Sequence, residues 1–138
     1  MNASIINKKH VSLATIPIRH SEIVKVLISV DTHTTKTVEN QAVNILYSDL
    51  LLSGCGDMDR KSFLDAVNRL GAGIDVKTSN GITDITLTSS GKNFAKLLKL
   101  VKTMLLYPSF TKKELTRVQK IEKNKLIESK EDLSLIHI

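Results

Sequence analysis

Tryptophan is absent from the chain, and all aromatic residues together make up only 4% of its 138 residues. Side chains able to stack on exposed bases are therefore scarce, and the interior has to be built from leucine, isoleucine and valine. One cysteine, Cys55, excludes a disulfide framework within the chain and suits a reducing compartment. We read it as a small buried thiol. Nowhere do about 18 uncharged apolar residues follow one another, and residues 1–9 lack the hydrophobic run of a secretory leader. The expectation is a soluble cytoplasmic protein with no membrane partner.

Clustered metal ligands are missing as well. His10, His20, His33 and His137 stand singly and far apart, as surface histidines do rather than zinc ligands. No second group stands beside Cys55 to make it a nucleophile. Gly71-Ala72-Gly73 lacks the third glycine and the preceding strand of a dinucleotide loop, so it reads as a helix stop. Asp57-Met58-Asp59 is not followed by a twelve-residue calcium loop and reads as helix capping.

What is present is enough for one domain, since 41% of the residues are hydrophobic and a core of useful size can form. The net charge of +6 is unevenly spread. Residues 1–91 hold nine basic and nine acidic side chains, whereas residues 92–130 hold eleven basic against three acidic. Lys92, Lys96, Lys99 and Lys102 lie opposite an apolar stripe, where solvated charge belongs. The alternative is a binding or regulatory α+β module whose basic second half meets an anionic partner or RNA. Such a module would lose affinity steeply with salt, and we read nucleic acid as the weaker of the two.

Hydrophobic periodicity divides the chain into elements. Residues 11–17 and 23–30 are β-rich, and the second run is so nearly continuously apolar that it reads as a central strand covered on most of both faces. A polar tract over residues 31–37 follows. Residues 40–55 read as a core helix with Ala42, Val43, Leu46, Leu50 and Leu51 inward and a solvated edge at Asn44, Ser48 and Asp49. Its stop is at Ser53-Gly54-Cys55-Gly56. Asp57 or Asp59 caps a second helix bearing Phe63, Val67 and Leu70, which Gly71 ends. Ile74, Val76 and Thr78 alternate before the turn Asn80-Gly81, and Ile85 and Leu87 alternate after it, giving a β-hairpin. Ile82 falls out of phase, which predicts a bulge or a late strand start.

A third helix over residues 93–106 carries Phe94, Leu97, Leu98, Val101 and Leu105 as one stripe, and Pro108 forbids its continuation. Thr111-Lys112-Lys113-Glu114 is a capping-box pattern. It opens a fourth helix with Leu115, Val118, Glu122 and Leu126 along one side, expected to dissolve over residues 129–132. The order is β-β-α-α-β-β-α-α, an α+β domain with helices on one face of a mainly antiparallel sheet. Residues 1–9 are read as a lead, 10–132 as the domain and 133–138 as a truncated or non-native tail.

The run Leu51-Leu52-Ser53-Gly54-Cys55, the stop Leu70-Gly71-Ala72-Gly73-Ile74, the hairpin, and Leu105-Leu106-Tyr107-Pro108-Ser109-Phe110 ahead of Glu114-Leu115 together resemble the insulinase/pitrilysin family of zinc metallopeptidases, over about residues 10–132. The family domain is longer than this chain. In catalytic members the core helix carries H-x-x-E-H, two zinc-binding histidines and the glutamate that activates the metal-bound water. The resemblance sets those positions on Ile45, Leu46, Tyr47, Ser48 and Asp49. Ile45 binds no metal, Ser48 is no carboxylate base, and Asp49 alone is one weak ligand. The family's further glutamate would fall at Asn124, Lys125 or Leu126, with Glu122 and Glu128 each off position.

The resemblance therefore implies a non-catalytic member, with no catalytic residues, no metal and no cofactor of its own, zinc being expected only in a catalytic partner. Inactive domains of that family pair with active ones and help enclose a peptide chamber. The partner expected here is a catalytic insulinase/pitrilysin-type subunit or the rest of a longer chain. A peptide would be met through an exposed strand edge, with the hairpin of Ile74 to Leu87 as the candidate.

Overall fold

The computed structural model describes residues 3–31 and 37–136, with the side chains of residues 133–136 excepted. His33, His137 and most of the polar tract over residues 31–37 lie outside the described residues. Strand β1 (Ser4–Lys8) pairs with β2 (Val11–Thr15) in a hairpin of its own. Strand β3 (Ile23–Asp31) leads to helix α1 (Val38–Leu51). The two-residue strands β4 (Gly54–Cys55) and β5 (Met58–Asp59) then introduce α2 (Arg60–Arg69). A hairpin of β6 (Gly73–Ser79) and β7 (Ile82–Ser90) precedes α3 (Gly91–Leu106) and α4 (Lys112–Ile136). This is the α+β architecture that the pattern implies, with additional strands at Ser4–Lys8, Gly54–Cys55 and Met58–Asp59.

Among the described residues the main sheet runs β3-β7-β6, all antiparallel. Its helix-facing side is set by the pleat: Val26 and Ile28 of β3, Ile85 and Leu87 of β7, and Ile74 and Val76 of β6 pack on one cluster. Phe63 and Val67 of α2, Leu97, Val101 and Met104 of α3, and Leu51 and Cys55 close it. Removing each large side chain of this kind from water contributes roughly 1.5–3 kcal/mol.

Three expectations need correction. Strand β3 is an edge, not a central strand, and Ile23 and Leu27 on its outer face are more than 60% exposed. Its apolar run marks an edge strand with one wet face. Strand β7 has no bulge: Asn80 and Gly81 take φ of 54° and 78°, Ser79 pairs with Ile82, and the register is unbroken. Ile82 merely points to the outer face, while Thr83, buried, takes the inward position. Finally, α4 does not dissolve at residues 129–132 but continues to Ile136. Its lysines and glutamates are good helix formers, so falling hydrophobicity there marks solvent exposure and not a helix end.

Helix faces also rotate against the simple stripes. In α1 Val43 is 61% exposed and Ser48 is buried, the reverse of their expected places. In α3 Met104 is fully buried while Leu98 and Leu105 remain partly open. Lys92, Lys96, Lys99 and Lys102 are exposed, as a solvated face requires.

Helix ends follow the capping rules more closely. Thr37, Asp59 and Thr111 each accept a backbone N–H, from Asn40, Ser62 and Glu114 respectively. The hydrogen bond from Ser62 holds the Asp59 carboxyl below its ordinary range. Glu114 completes no reciprocal box; its carboxylate turns to Arg117 at 2.6 Å and Arg60 at 3.8 Å.

The turn after α1 is tightly packed. Cys55 forms a bridge to Pro108, Gly56 N–H donates to the Tyr107 carbonyl at 2.8 Å, and Ser109 N–H donates to Gly54 O at 3.2 Å. Gly54 has φ of 121°, and a Cβ there would stand 2.6 Å from the Met58 carbonyl oxygen. Gly54→Ala should therefore cost about 3 kcal/mol through strain and a backbone clash. A urea unfolding midpoint little changed from that of the parent protein would contradict this account of the turn.

Candidate functional site

The positions singled out on α1 diverge into three environments. Ile45, 44% exposed, faces a half-open pocket at the end of β6. Ser48 turns inward, donates to the Asn44 carbonyl and meets the Thr78 hydroxyl, which in turn bonds Thr83 at 2.9 Å. The helix thus buries a hydroxyl without leaving it unpaired, and no buried side-chain polar atom among the described residues lacks a partner. Burial of a polar helix position is tolerable only on that condition. Asp49 turns toward α4.

There Asp49 and Glu122 are hydrogen-bonded to each other, and Lys125 donates to Glu122 at 2.9 Å. Burial first, then the bond to and the charge of Glu122, push the Asp49 carboxyl up to about 6. Glu122 moves the other way, chiefly because the Lys125 ammonium donates to it. Below about pH 6 the two acids hold one proton between them, and the Asp49 O–H can then donate to the Glu122 carboxylate. Lys125 is correspondingly held above its ordinary value by Glu122.

Of the α4 window, Asn124, Lys125 and Leu126 are all exposed, and so is Glu128. The carboxylate that reaches α1 is Glu122, which the spacing set off position. The signal was in the sequence: Glu122 sits in the stripe with Leu115 and Val118, the side of α4 that packs inward. A zinc ion needs about three protein ligands, and among the described residues no three His, Cys, Asp or Glu side chains converge. Ile45 has no donor atom, and the carboxylate of Glu122 is engaged by Lys125. His10 and His20 are exposed, and Cys55 is fully buried, which pushes its thiol up.

Two recesses flank α1. The polar one at Ile45 is about 200 Å3 and is bounded by Gln41, Asn44, Thr78, Ser79 and Asn80. An apolar groove of about 420 Å3 lies between α1 and α3, over Val30, Thr83 and Ile85. Tyr47 on its wall stacks edge-to-face on Phe110, with ring centroids 5.6 Å apart.

The antiparallel sheet backed by these helices is an M16-like fold, the peptidase type of the insulinase/pitrilysin resemblance. It superposes on a peptidase M16 inactive domain from Pseudomonas fluorescens with a TM-score of 0.78 and 15% identity, over 87% of this chain and 30% of that one. A protease from Helicobacter pylori gives a TM-score of 0.72 and 16% identity, over 87% and 29% respectively. No protein-family profile and no curated relative matches the sequence. The likeness is one of fold, and the chain spans less than a third of either neighbour's length. Among the described residues no helix is long and apolar enough to cross a membrane.

The shared proton has a pH consequence. The Asp49 pKa is raised in the folded state, so its protonation adds stability that is fully present below about pH 4 and is lost as pH rises through about 6. Asp49→Asn keeps the donor to Glu122 and removes the titration. The variant should match the parent near pH 4 and exceed it by about 1 kcal/mol at pH 7.5, the figure being discounted for partial exposure. Urea unfolding at both pH values checks this; a parent protein that gains on the variant as pH rises would refute it.

Proposed function

We propose that this chain is a non-catalytic domain of the insulinase/pitrilysin type, serving as a structural or partner element of a zinc-peptidase-like assembly and forming part of a peptide-enclosing wall. One observation carries the reading. On a fold like that of a peptidase M16 inactive domain, the helix positions that would hold zinc carry Ile45 and Asp49, and the position of the water-activating glutamate carries Ser48. Ile45 offers no donor atom, Ser48 is tied into the hydroxyl chain to Thr78, and Asp49 pairs with Glu122. Any zinc would belong to a catalytic partner, either a separate subunit or further sequence of a longer chain.

The peptide-facing element in this reading is β6. It is an edge strand of the three-stranded sheet, it runs beside α1, and its open side can accept an extended segment through main-chain hydrogen bonds. A wall of this sort binds and orients a peptide without cutting it.

The purified protein, incubated with equimolar zinc sulfate and desalted, should retain less than about 0.1 equivalent of metal, since fewer than three ligands converge. It should also leave casein uncleaved. Stoichiometric zinc by elemental analysis, together with chelator-sensitive cleavage, would make the protein an enzyme and overturn the proposal.

A further inference from the structure

The recess beside Ile45 lies where a guest strand on β6 would end up. Its walls are Gln41, Asn44 and Ile45 of α1 and Thr78, Ser79 and Asn80 of the hairpin. None of the lining side chains is titratable, and three of them are carboxamides. At about 200 Å3 the space is smaller than the usual small-molecule site and suits a single side chain.

Hairpin geometry fixes how such a strand would meet it. Ser79 and Ile82 flank a two-residue turn, so they exchange both ladder hydrogen bonds, and so do the pairs of Lys77 and Asp75 with β7. The N–H and C=O groups of Val76 and Thr78 consequently point away from β7, to the open edge. Val76 and Thr78 carry their side chains on the helix side of the sheet, Thr78 reaching Ser48. A guest residue directly opposite Thr78 would therefore project its side chain onto that same side, against Gln41 and Ile45.

We propose, on the footing of the peptide-wall reading above, that this recess selects an uncharged hydroxyl or carboxamide side chain (Ser, Thr, Asn or Gln) from an extended peptide added to β6. A carboxamide or hydroxyl both donates and accepts, as the lining carboxamides do. An ionised side chain would give up hydration with no opposite charge among the lining groups. An aliphatic one would cover polar atoms without pairing them.

The test uses fluorescence anisotropy with the full chain and five fluorescein-labelled nonapeptides. Valine and lysine alternate in these peptides, and the central inward residue is Asn, Ser, Asp, Lys or Leu. A sixth peptide repeats the Asn sequence with alternate backbone nitrogens methylated. The Asn and Ser peptides should bind about five- to tenfold tighter than the Asp, Lys and Leu peptides, and N-methylation should abolish binding. Gln41→Leu, at an exposed helix position, should bring the Asn and Leu peptides to within about twofold of each other. Equal affinities across the five with binding still lost on N-methylation would overturn the recess as a selector while leaving the peptide wall standing. Binding indifferent to N-methylation, or no binding by any peptide, would overturn both.

Discussion

The molecule hangs on the short segment Gly54–Cys55. It pairs with Met58–Asp59 on one side and, together with Gly56, meets Tyr107, Pro108 and Ser109 on the other. In this way three consecutive residues, Gly54 to Gly56, hold the end of α1, the start of α2, the end of α3 and the approach to α4 at one point. The arrangement demands a residue without a side chain at Gly54 and a small apolar one at Cys55, where relative exposure is zero. Arg117 adds a side-chain tie there by donating to the Ser53 hydroxyl at 3.3 Å. Four helix ends held at one point leave α1 little freedom to change its angle on the sheet.

That constraint explains why the polar positions of α1 have structural partners. A helix fixed at its end presents each side chain to a determined neighbour: Ser48 to β6, Asp49 to α4, Ile45 to the open side of the hairpin. A buried serine is stable there because two threonines of the hairpin extend its hydroxyl into a chain. A half-buried aspartate is tolerated because Lys125 and Arg117 offset its charge and, when protonated, it bonds to Glu122. Ser48 and Asp49 thus fasten the helix at separate places, while Ile45 faces the open recess.

Much of the fold was legible because its signals are local. Asn80-Gly81 forces a tight turn, Asp59 and Thr111 cap helices, and Pro108 bars continuation of α3, each through chemistry contained in a few residues. Long-range choices were not legible. Nothing in Ile23 to Asp31 distinguishes an edge strand from a central one, since that depends on which strands arrive beside it. Ser48 looked solvated because its partners, Thr78 and Thr83, lie thirty or more residues away in sequence. The Asp49–Glu122 pair escaped for a related reason: the spacing inferred from resemblance pointed to residues 124–126, whereas helix packing sets the contact one turn earlier.

The edge position of β3 bears on how the protein behaves in concentrated solution. Nine residues long, with Ile23 and Leu27 open on its outer face, it is an edge among the described residues and lies ready to pair with another extended chain, its own copies included. Lys25 lies between those two apolar residues and acts as a gatekeeper, since stacking such strands in register would set like charges side by side. Colloidal stability of the domain thus leans on one lysine at that border.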